Sequence, residues 1–158
     1  MSAPLRSESP CVAGAMRAAS RKLTLLYDEL MAPSGLRLTQ FGVLAELARR
    51  EASPPTVREL ADILTMERSA LGQTLRPLER DGLVELGRDK QDGRRRPVRL
   101  TRAGQKAVTR ARPYWAAAHG RFTKFFGEEA MAELRGTLRG IAENPDLSEA
   151  FDRGGAPH

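Results

Sequence analysis

The 158-residue sequence has little of several residues that define other protein classes. Its one cysteine, Cys11, excludes a disulfide framework within the chain and a cysteine-rich zinc site. Its two histidines, His119 and His158, have no carboxylate or cysteine cluster at ligand spacing, so we expect no metal site. No apolar run approaches the ~20 residues of a membrane span, and residues 1–10 lack the apolar core of a signal peptide. We therefore expect a cytoplasmic protein with no membrane partner.

Motifs of catalysis are also missing from the sequence. It contains no glycine-rich phosphate loop and no nucleophile elbow, so we expect neither an enzyme nor a cofactor. Aromatic residues make up 5% and hydrophobic residues 41%, and the abundance of Ala, Leu, Arg and Glu favours helices. The net charge of +6 indicates an anionic partner, such as nucleic acid or a membrane surface, although basic proteins that bind neither also occur.

The first part of the chain has the apolar spacing of helices. Residues 1–10 are predicted to be a disordered arm, and Val12–Met31 has apolar residues at i, i+3 and i+4, which predicts a helix with a buried face. Turn residues at Pro33–Gly35 and Ser53–Pro55 separate the next helices. These are predicted at Thr39–Arg50 with Thr39 as the N-cap, at Thr56–Leu64, and at Glu67–Asp81 ending at Gly82.

A β-hairpin and two more helices are predicted to follow. Leu83–Leu86 is predicted as a strand, Asp92-Gly93 as a turn, and the segment with Val98 and Leu100 as a returning strand that Pro97 makes an edge. Helices are predicted at Thr101–Phe126 and Glu128–Glu143, and residues 145–158 as a flexible tail. The predicted fold is mostly α with a small β-hairpin wing, a winged helix-turn-helix with N- and C-terminal dimerisation helices.

The helix Glu67–Asp81 is the candidate that reads DNA. At 100° per residue, Leu71, Leu75 and Leu78 face the core, and small polar and cationic residues face the other side. Gln pairs with adenine and Arg with guanine, and Ser contacts base edges or phosphate, so this face suits a major groove. A solvated surface is the alternative. The candidate DNA-binding residues of this helix are Arg68, Ser69, Gln73, Arg76 and Arg80, with Arg68 in the first turn near a phosphate.

The hairpin carries a cluster of positive charge. From Arg88 to Arg102 there are seven basic residues and two acids, and cations so close together repel one another unless an anion meets them. Arginine at a hairpin tip suits the narrow minor groove, where the potential is strongly negative. A solvated flexible loop is the alternative. The candidate DNA-binding residues of the hairpin are Arg88, Lys90, Arg94, Arg95 and Arg96.

Several segments of the sequence resemble the MarR family of winged helix-turn-helix regulators. The segments Leu36–Phe41 and Val57–Ala61 resemble its second and third helices. The reading helix with its following strand and the wing signature are similar at Arg68–Leu71, Leu78–Val84, Asp92–Arg94 and Leu100–Gly104. The resemblance covers residues 12–143. Pro77 and Gly72 depart from it, and Pro77 predicts a bend because it removes the hydrogen bond to the Gln73 carbonyl.

The resemblance implies a fold, partners and a signal. It implies a homodimer on a palindrome, with Arg94 in the minor groove and Asp92 supporting the wing. It also implies a small-molecule or redox signal that lowers the affinity for DNA. The domain limits that follow are 1–10 for the arm, 11–38 for the N-terminal dimerisation helix and turn, 39–102 for the DNA-binding region, 103–144 for the C-terminal dimerisation helices, and 145–158 for the tail.

A small-ligand site is the least supported prediction. The resemblance implies a pocket between the dimerisation helices and the winged domain, where several aromatic residues lie. A few flat apolar surfaces with one cation suit a small aromatic acid or phenol. Aromatic side chains that simply fill a helix junction are the alternative. The candidate ligand residues are Arg21, Tyr27, Phe41, Tyr114, Trp115 and His119.

These observations predict a sequence-specific DNA-binding transcriptional regulator. We expect a repressor that binds a palindromic operator as a homodimer and is released by a small ligand. The alternative is a winged-helix module for protein interaction or for architectural DNA binding. The expected partners are double-stranded DNA, a second copy of the chain and a small aromatic ligand.

Overall fold

The computed structural model describes residues 11–87 and 96–153, and the chain divides after Ala118 into two compact units. Most of the chain is helical, and one antiparallel pair of strands interrupts the helices. This confirms the predicted mostly helical fold with a β-hairpin. The elements are α1 (Val12–Met31), a 3-10 turn (Ala32–Ser34), α2 (Leu38–Arg49), α3 (Val57–Ile63), α4 (Arg68–Arg80), β1 (Val84–Leu86), β2 (Val98–Leu100), α5 (Arg102–Phe126), α6 (Glu128–Glu143) and α7 (Pro145–Arg153).

The first unit has a core formed by one face of each of its elements from α2 to α5. Leucine dominates α2, α3 and α4, and β-branched or small residues come from the strands and α5. Because these side chains lie at helical or alternating spacing, the sequence pattern places them on one side of each element. The core includes Leu44, Leu47, Leu60, Leu71, Leu75, Leu78, Val84, Val98, Val108 and Ala111.

The helix-turn-helix formed by α3 and α4 is closed by local hydrogen bonds. The Glu59 N–H donates to Thr56 Oγ1 at 3.2 Å, and the Thr56 N–H donates to Glu59 Oε2 at 2.7 Å, which is a capping box at the start of α3. At the end of α4, Gly82 has a φ of +70°, and the Leu83 N–H donates to the Leu78 carbonyl at 2.8 Å. Gly82 therefore ends α4 in a left-handed C-cap, as predicted. The helix continues through Pro77 to Arg80.

The hairpin pairs more extensively than its sequence predicts. Val84, Glu85 and Leu86 lie opposite Leu100, Arg99 and Val98 in antiparallel register. On the other side of β2, the Val98 N–H donates to the Pro55 carbonyl at 2.7 Å, and Pro97 forms an isolated bridge with Thr56. β2 is an edge strand of a two-stranded sheet, as predicted, and the segment before α3 adds these two contacts on its outer side.

The junction of the hairpin with α5 is held by Thr101 and Gly104. The Thr101 hydroxyl donates to the Gly82 carbonyl at 2.7 Å and accepts the Gly104 N–H at 3.0 Å, so Thr101 caps α5 and joins it to the end of α4. A Cβ on Gly104 would lie 2.1 Å from the Leu83 carbonyl oxygen. Only glycine fits this close approach of backbones.

Three predicted details of the helices differ from the structure. The N-cap of α2 is Arg37 and not Thr39, because the Leu38 N–H donates to Asp28 Oδ1 of α1 at 2.7 Å and the Arg37 N–H donates to Gln40 Oε1. The predicted apolar face of α1 is largely exposed in this chain, with Met31 alone buried among the residues of α1. The reason is that the core of the first unit lies around α2 to α5.

The third difference concerns the end of the second unit. Residues 145–153 form α7 where a flexible tail was predicted. Asn144 accounts for the helix, because its Oδ1 accepts the Asp146 N–H at 2.9 Å and Pro145 is well suited to the first helical position. The α6 helix matches its predicted limits, and its residues Leu134, Leu138 and Ile141 are exposed. No described helix combines the length and apolar character needed to cross a membrane.

Candidate nucleic-acid interface

The reading face of α4, defined as Arg68, Ser69, Gln73, Arg76 and Arg80, is exposed along its whole length. The leucines of α4 that face the other way are buried, which fixes the rotation of the helix about its axis. Arg80 Nε donates to Asp81 Oδ1 at 3.0 Å. Within the described parts of the chain, the guanidinium groups of Arg68 and Arg76 have no hydrogen-bond or ion-pair partner. The reading face therefore presents an amide, a hydroxyl and unpaired cations to solvent.

The wing is described only at its base. Arg88, Lys90, Asp92, Arg94 and Arg95 lie outside the described residues. Arg96 is exposed where β2 begins, and Arg99 is exposed on β2 opposite Glu85. The base of the wing therefore adds positive charge beside α4, and its hydrogen bond to Pro55 connects it to the start of α3.

Two of the predicted ligand residues, Phe41 and Trp115, are in contact. Phe41 and Trp115 stack with ring centroids 5.9 Å apart and an interplanar angle of 29°, and Phe41 is buried in the core. This arrangement favours the alternative that the two rings fill a helix junction. Arg21 and Tyr114 are exposed on α1 and α5. Tyr27 is half-buried on α1, where burial raises the pKa of its phenol. His119 is half-buried in the second unit.

A groove that was not predicted lies beside the reading helix. Its volume is about 530 Å³, and α1, the start of α2 and α4 line it, so we call it the α1–α4 groove. Residues far apart in sequence form it, and no local sequence pattern joins them. The Leu38 N–H donates to Asp28 Oδ1, which joins the α1 and α2 sides of the groove. The lining residues include Asp28, Arg37, Gln40, Met66, Ala70, Gln73 and Pro77.

Metal-binding chemistry has no candidate in the described residues. These residues contain no group of three or more His, Cys, Asp or Glu side chains that could hold a metal ion. The buried Glu46 has arginine partners, since Arg50 Nε lies 2.6 Å from its Oε1 and Arg49 hydrogen-bonds its other oxygen. Burial opposes ionisation of Glu46, but the hydrogen bonds from the two arginines outweigh it and lower its pKa.

Comparison with known proteins finds a family model and several transcriptional regulators. The family model described as the MarR family matches residues 34–95. The transcriptional regulator MosR of M. tuberculosis, solved in complex with DNA, is 30% identical, with 87% of this chain and 98% of that chain covered and a TM-score of 0.76. No curated protein matches the chain.

Two structures of a repressor called CouR are also similar. CouR bound to a 23-mer DNA duplex is 28% identical, with 89% of this chain and 99% of that chain covered and a TM-score of 0.75. CouR bound to p-coumaroyl-CoA is 24% identical, with 85% of this chain and 93% of that chain covered and a TM-score of 0.74. The similarity therefore spans nearly the whole of each chain.

Proposed function

Because the chain belongs to the MarR family of transcriptional regulators, we propose that it is a repressor that binds a palindromic operator as a homodimer. We further propose that a small ligand with an aromatic group releases it from DNA. The observation that carries the proposal is the exposed polar and cationic face of α4 beside the arginine-bearing base of a hairpin. A chromosomal operator also implies that the protein works in the cytoplasm.

In the proposed complex, α4 lies in the major groove. Its leucines anchor the helix to the core, so the reading face turns outward without rearrangement. Gln73 pairs with an adenine, Arg76 with a guanine, and Arg68 in the first turn with a phosphate. Specificity then comes mainly from the middle of α4, and the ends of the helix contribute affinity.

The wing completes the proposed complex at the minor groove. Arg94 enters the groove, where the negative potential is strong, with Arg88, Lys90, Arg95 and Arg96 near the phosphates. Asp92 supports the wing. The hydrogen bond from Val98 to Pro55 supports this arrangement, because it holds β2 against the start of α3 and so limits how far the wing can turn away from α4.

The proposed homodimer rests on exposed apolar side chains at both ends of the chain. Val12, Leu25 and Leu26 are exposed on α1, and Leu134, Leu138 and Ile141 on α6. Apolar side chains at helical spacing favour burial against a partner. A twofold dimer would place two reading helices one DNA turn, about 34 Å, apart, and the operator would share that symmetry.

Ligand release follows from the difference in affinity between two states of the dimer. A ligand shifts the population toward the state with the wrong spacing of reading helices only by as much as it prefers that state. The similarity to CouR, which was solved with p-coumaroyl-CoA, supports an aromatic group in the ligand. The predicted residues Arg21, Tyr27, Tyr114 and His119 are still candidates for its contacts.

Footprinting on the promoter beside the protein's own gene tests this function. We expect a short protected site with twofold symmetry, because two copies of α4 read related half-sites. Protection that extends along the DNA without a symmetric boundary would favour the architectural alternative. A purified dimer that protects no segment at low salt would contradict DNA recognition altogether.

A further inference from the structure

The α1–α4 groove shares a residue with the reading face. Gln73 lies on the exposed side of α4 and also lines the groove, together with Thr74 and Pro77 of the same helix. The groove is open to solvent, and its volume of about 530 Å³ is comparable to that of small-molecule pockets. A ligand in the groove would contact the Gln73 amide that the proposed function assigns to a base.

The α1 side of the groove offers a negatively charged hydrogen-bond acceptor. Asp28 of α1 is half-buried, and its Oδ1 accepts the Leu38 N–H at 2.7 Å, so the carboxylate is held in place. Within the described chain its Oδ2 has no hydrogen-bond partner. A preorganised carboxylate oxygen of this kind favours a ligand cation with N–H donors.

The rim of the groove offers hydrogen-bond donors of positive charge. Arg37 is exposed at the start of α2, and its guanidinium has no partner among the residues that the structure describes. The Arg37 N–H donates to Gln40 Oε1 at 3.0 Å, which leaves the Gln40 amide group free to donate. These donors favour a carboxylate on the ligand. Arg37 and Asp28 form no ion pair within 4.0 Å that would cancel both charges.

Three apolar residues line the groove beside the polar residues Thr24, Thr39 and Thr74. Met66 comes from the turn between α3 and α4, and Ala70 and Pro77 come from α4. Methionine adapts to different shapes and contacts aromatic rings favourably, so this part of the wall suits a flat apolar group.

We propose that the α1–α4 groove binds a small amphoteric ligand of the amino-acid class that carries an aromatic or large aliphatic side chain. Its ammonium group meets Asp28, its carboxylate meets Arg37 and Gln40, and its side chain lies on Met66, Ala70 and Pro77. The ligand covers Gln73 and therefore excludes DNA from the reading face by direct overlap. The groove is a different site from Arg21, Tyr27, Tyr114 and His119, and direct overlap is a different route of release from a shift between two dimer states. This second half of the inference rests on the proposed repressor function.

Calorimetric titration of the full chain with L-tryptophan, L-phenylalanine and L-leucine tests the site without DNA. We expect saturable binding of at least one of them, with L-tryptophan at least tenfold tighter than tryptamine or indole-3-propionate, because each analogue lacks one of the two charges. Absence of binding by all three amino acids at millimolar concentration would overturn the proposal. Equal affinity for L-tryptophan and both analogues would also overturn it.

Variants locate the ligand in the groove. Asp28→Asn keeps an oxygen that can accept the Leu38 N–H, and Arg37→Gln changes an exposed side chain, so both are expected to fold. Each should weaken amino-acid binding about tenfold or more. Arg17→Gln, an exposed position of α1 outside the groove, is the matched control and should bind as the unchanged protein does. Melting curves confirm folding, and unchanged affinity in both groove variants would overturn the site.

A DNA titration at increasing ligand concentration tests the overlap. Direct exclusion predicts that the apparent Kd for the operator rises in proportion to ligand concentration without reaching a plateau. A plateau would show that ligand and DNA bind together with a finite coupling, and it would overturn the overlap. The titration without ligand separates the proposed ligand site from the proposed DNA-binding function. If the protein binds no DNA without ligand but binds an amino acid with an affinity that Asp28→Asn lowers, the proposed function is refuted and the site is upheld.

Discussion

A Cβ at Gly104 would collide with backbone and side chain of the preceding hairpin. It would lie 2.1 Å from the Leu83 carbonyl oxygen and 2.6 Å from Leu100 Cδ1. We expect Gly104→Ala to lower the free energy of unfolding by about 1–3 kcal/mol, since a backbone atom must move. Urea denaturation of both proteins measures the difference.

The control for this prediction is another helical glycine. A Cβ added at Gly136 of α6 would meet no atom of another element within 4 Å, so Gly136→Ala should raise stability by about 0.5–1 kcal/mol. Equal and small effects of the two substitutions would contradict the close approach at Gly104.

The buried Glu46 predicts a pH-dependent contribution to stability. Its pKa in the folded chain is lowered from the ordinary value of 4.5 by hydrogen bonds from Arg49 and Arg50, which outweigh burial. Because the pKa is lower in the folded chain, the ionised carboxylate stabilises the fold at pH values above the unfolded pKa. This contribution is lost as the pH falls through the folded pKa. Glu46→Gln should therefore cost about 1 kcal/mol at neutral pH.

The difference between the two proteins should shrink as the pH falls below about 4.5. Chemical denaturation across this range measures it, with the exposed Glu51→Gln as the control. A cost that is the same at pH 7 and in acid would show that the arginine contacts do not depend on the charge of Glu46.

Substitutions in α4 and in the wing are expected to change DNA binding in different ways. Gln73→Ala should relax the preference at particular bases by roughly 1–3 kcal/mol, because it removes a bidentate contact. Arg94→Ala should weaken binding to most sequences and reduce the salt dependence, because fewer counterions are released. Competition assays with specific and random DNA at several salt concentrations separate the two effects. The same loss from both variants on every sequence would contradict this division of roles.

The elements show how far the sequence predicts the fold. Helix spacing, Thr56, Gly82 and the wing signature are local signals, and they led to α1, α3, α4, α6 and the hairpin with limits close to those observed. The N-cap of α2 was missed because its acceptor, Asp28, is on another helix. The pairing of Pro97 with Thr56 was missed for the same reason, since both contacts depend on tertiary structure.

The same distinction applies to the candidate site, since one part of it follows from local sequence and another depends on tertiary structure. The exposure of the reading face followed from helical spacing, because the buried leucines determine the opposite side. The α1–α4 groove could not be predicted from helical spacing, because residues of three separate helices line it. The aromatic residues illustrate the limit, because Phe41 and Trp115 suit a pocket or a core equally well by sequence. In the structure Phe41 belongs to the core and Trp115 stacks against it.

At the scale of the whole molecule, we expect a dimer that depends on the apolar residues of α6. Leu138→Glu places a charge among exposed apolar residues that a partner would bury, so it should shift sedimentation at micromolar concentration from dimer to monomer. Arg139→Glu, the neighbouring exposed position, changes charge outside that stripe and should leave the dimer intact. A dimer that survives Leu138→Glu, or a monomer without any substitution, would contradict this interface.

The spacing of the operator half-sites gives the most direct test of the central claim that two copies of α4 in one dimer read symmetric DNA. Inserting about five base pairs, half a turn, between the half-sites moves one of them to the opposite face of the duplex. We predict that the affinity of the purified protein then falls at least a hundredfold, close to its value for random DNA. Unchanged affinity for the lengthened operator would contradict the account.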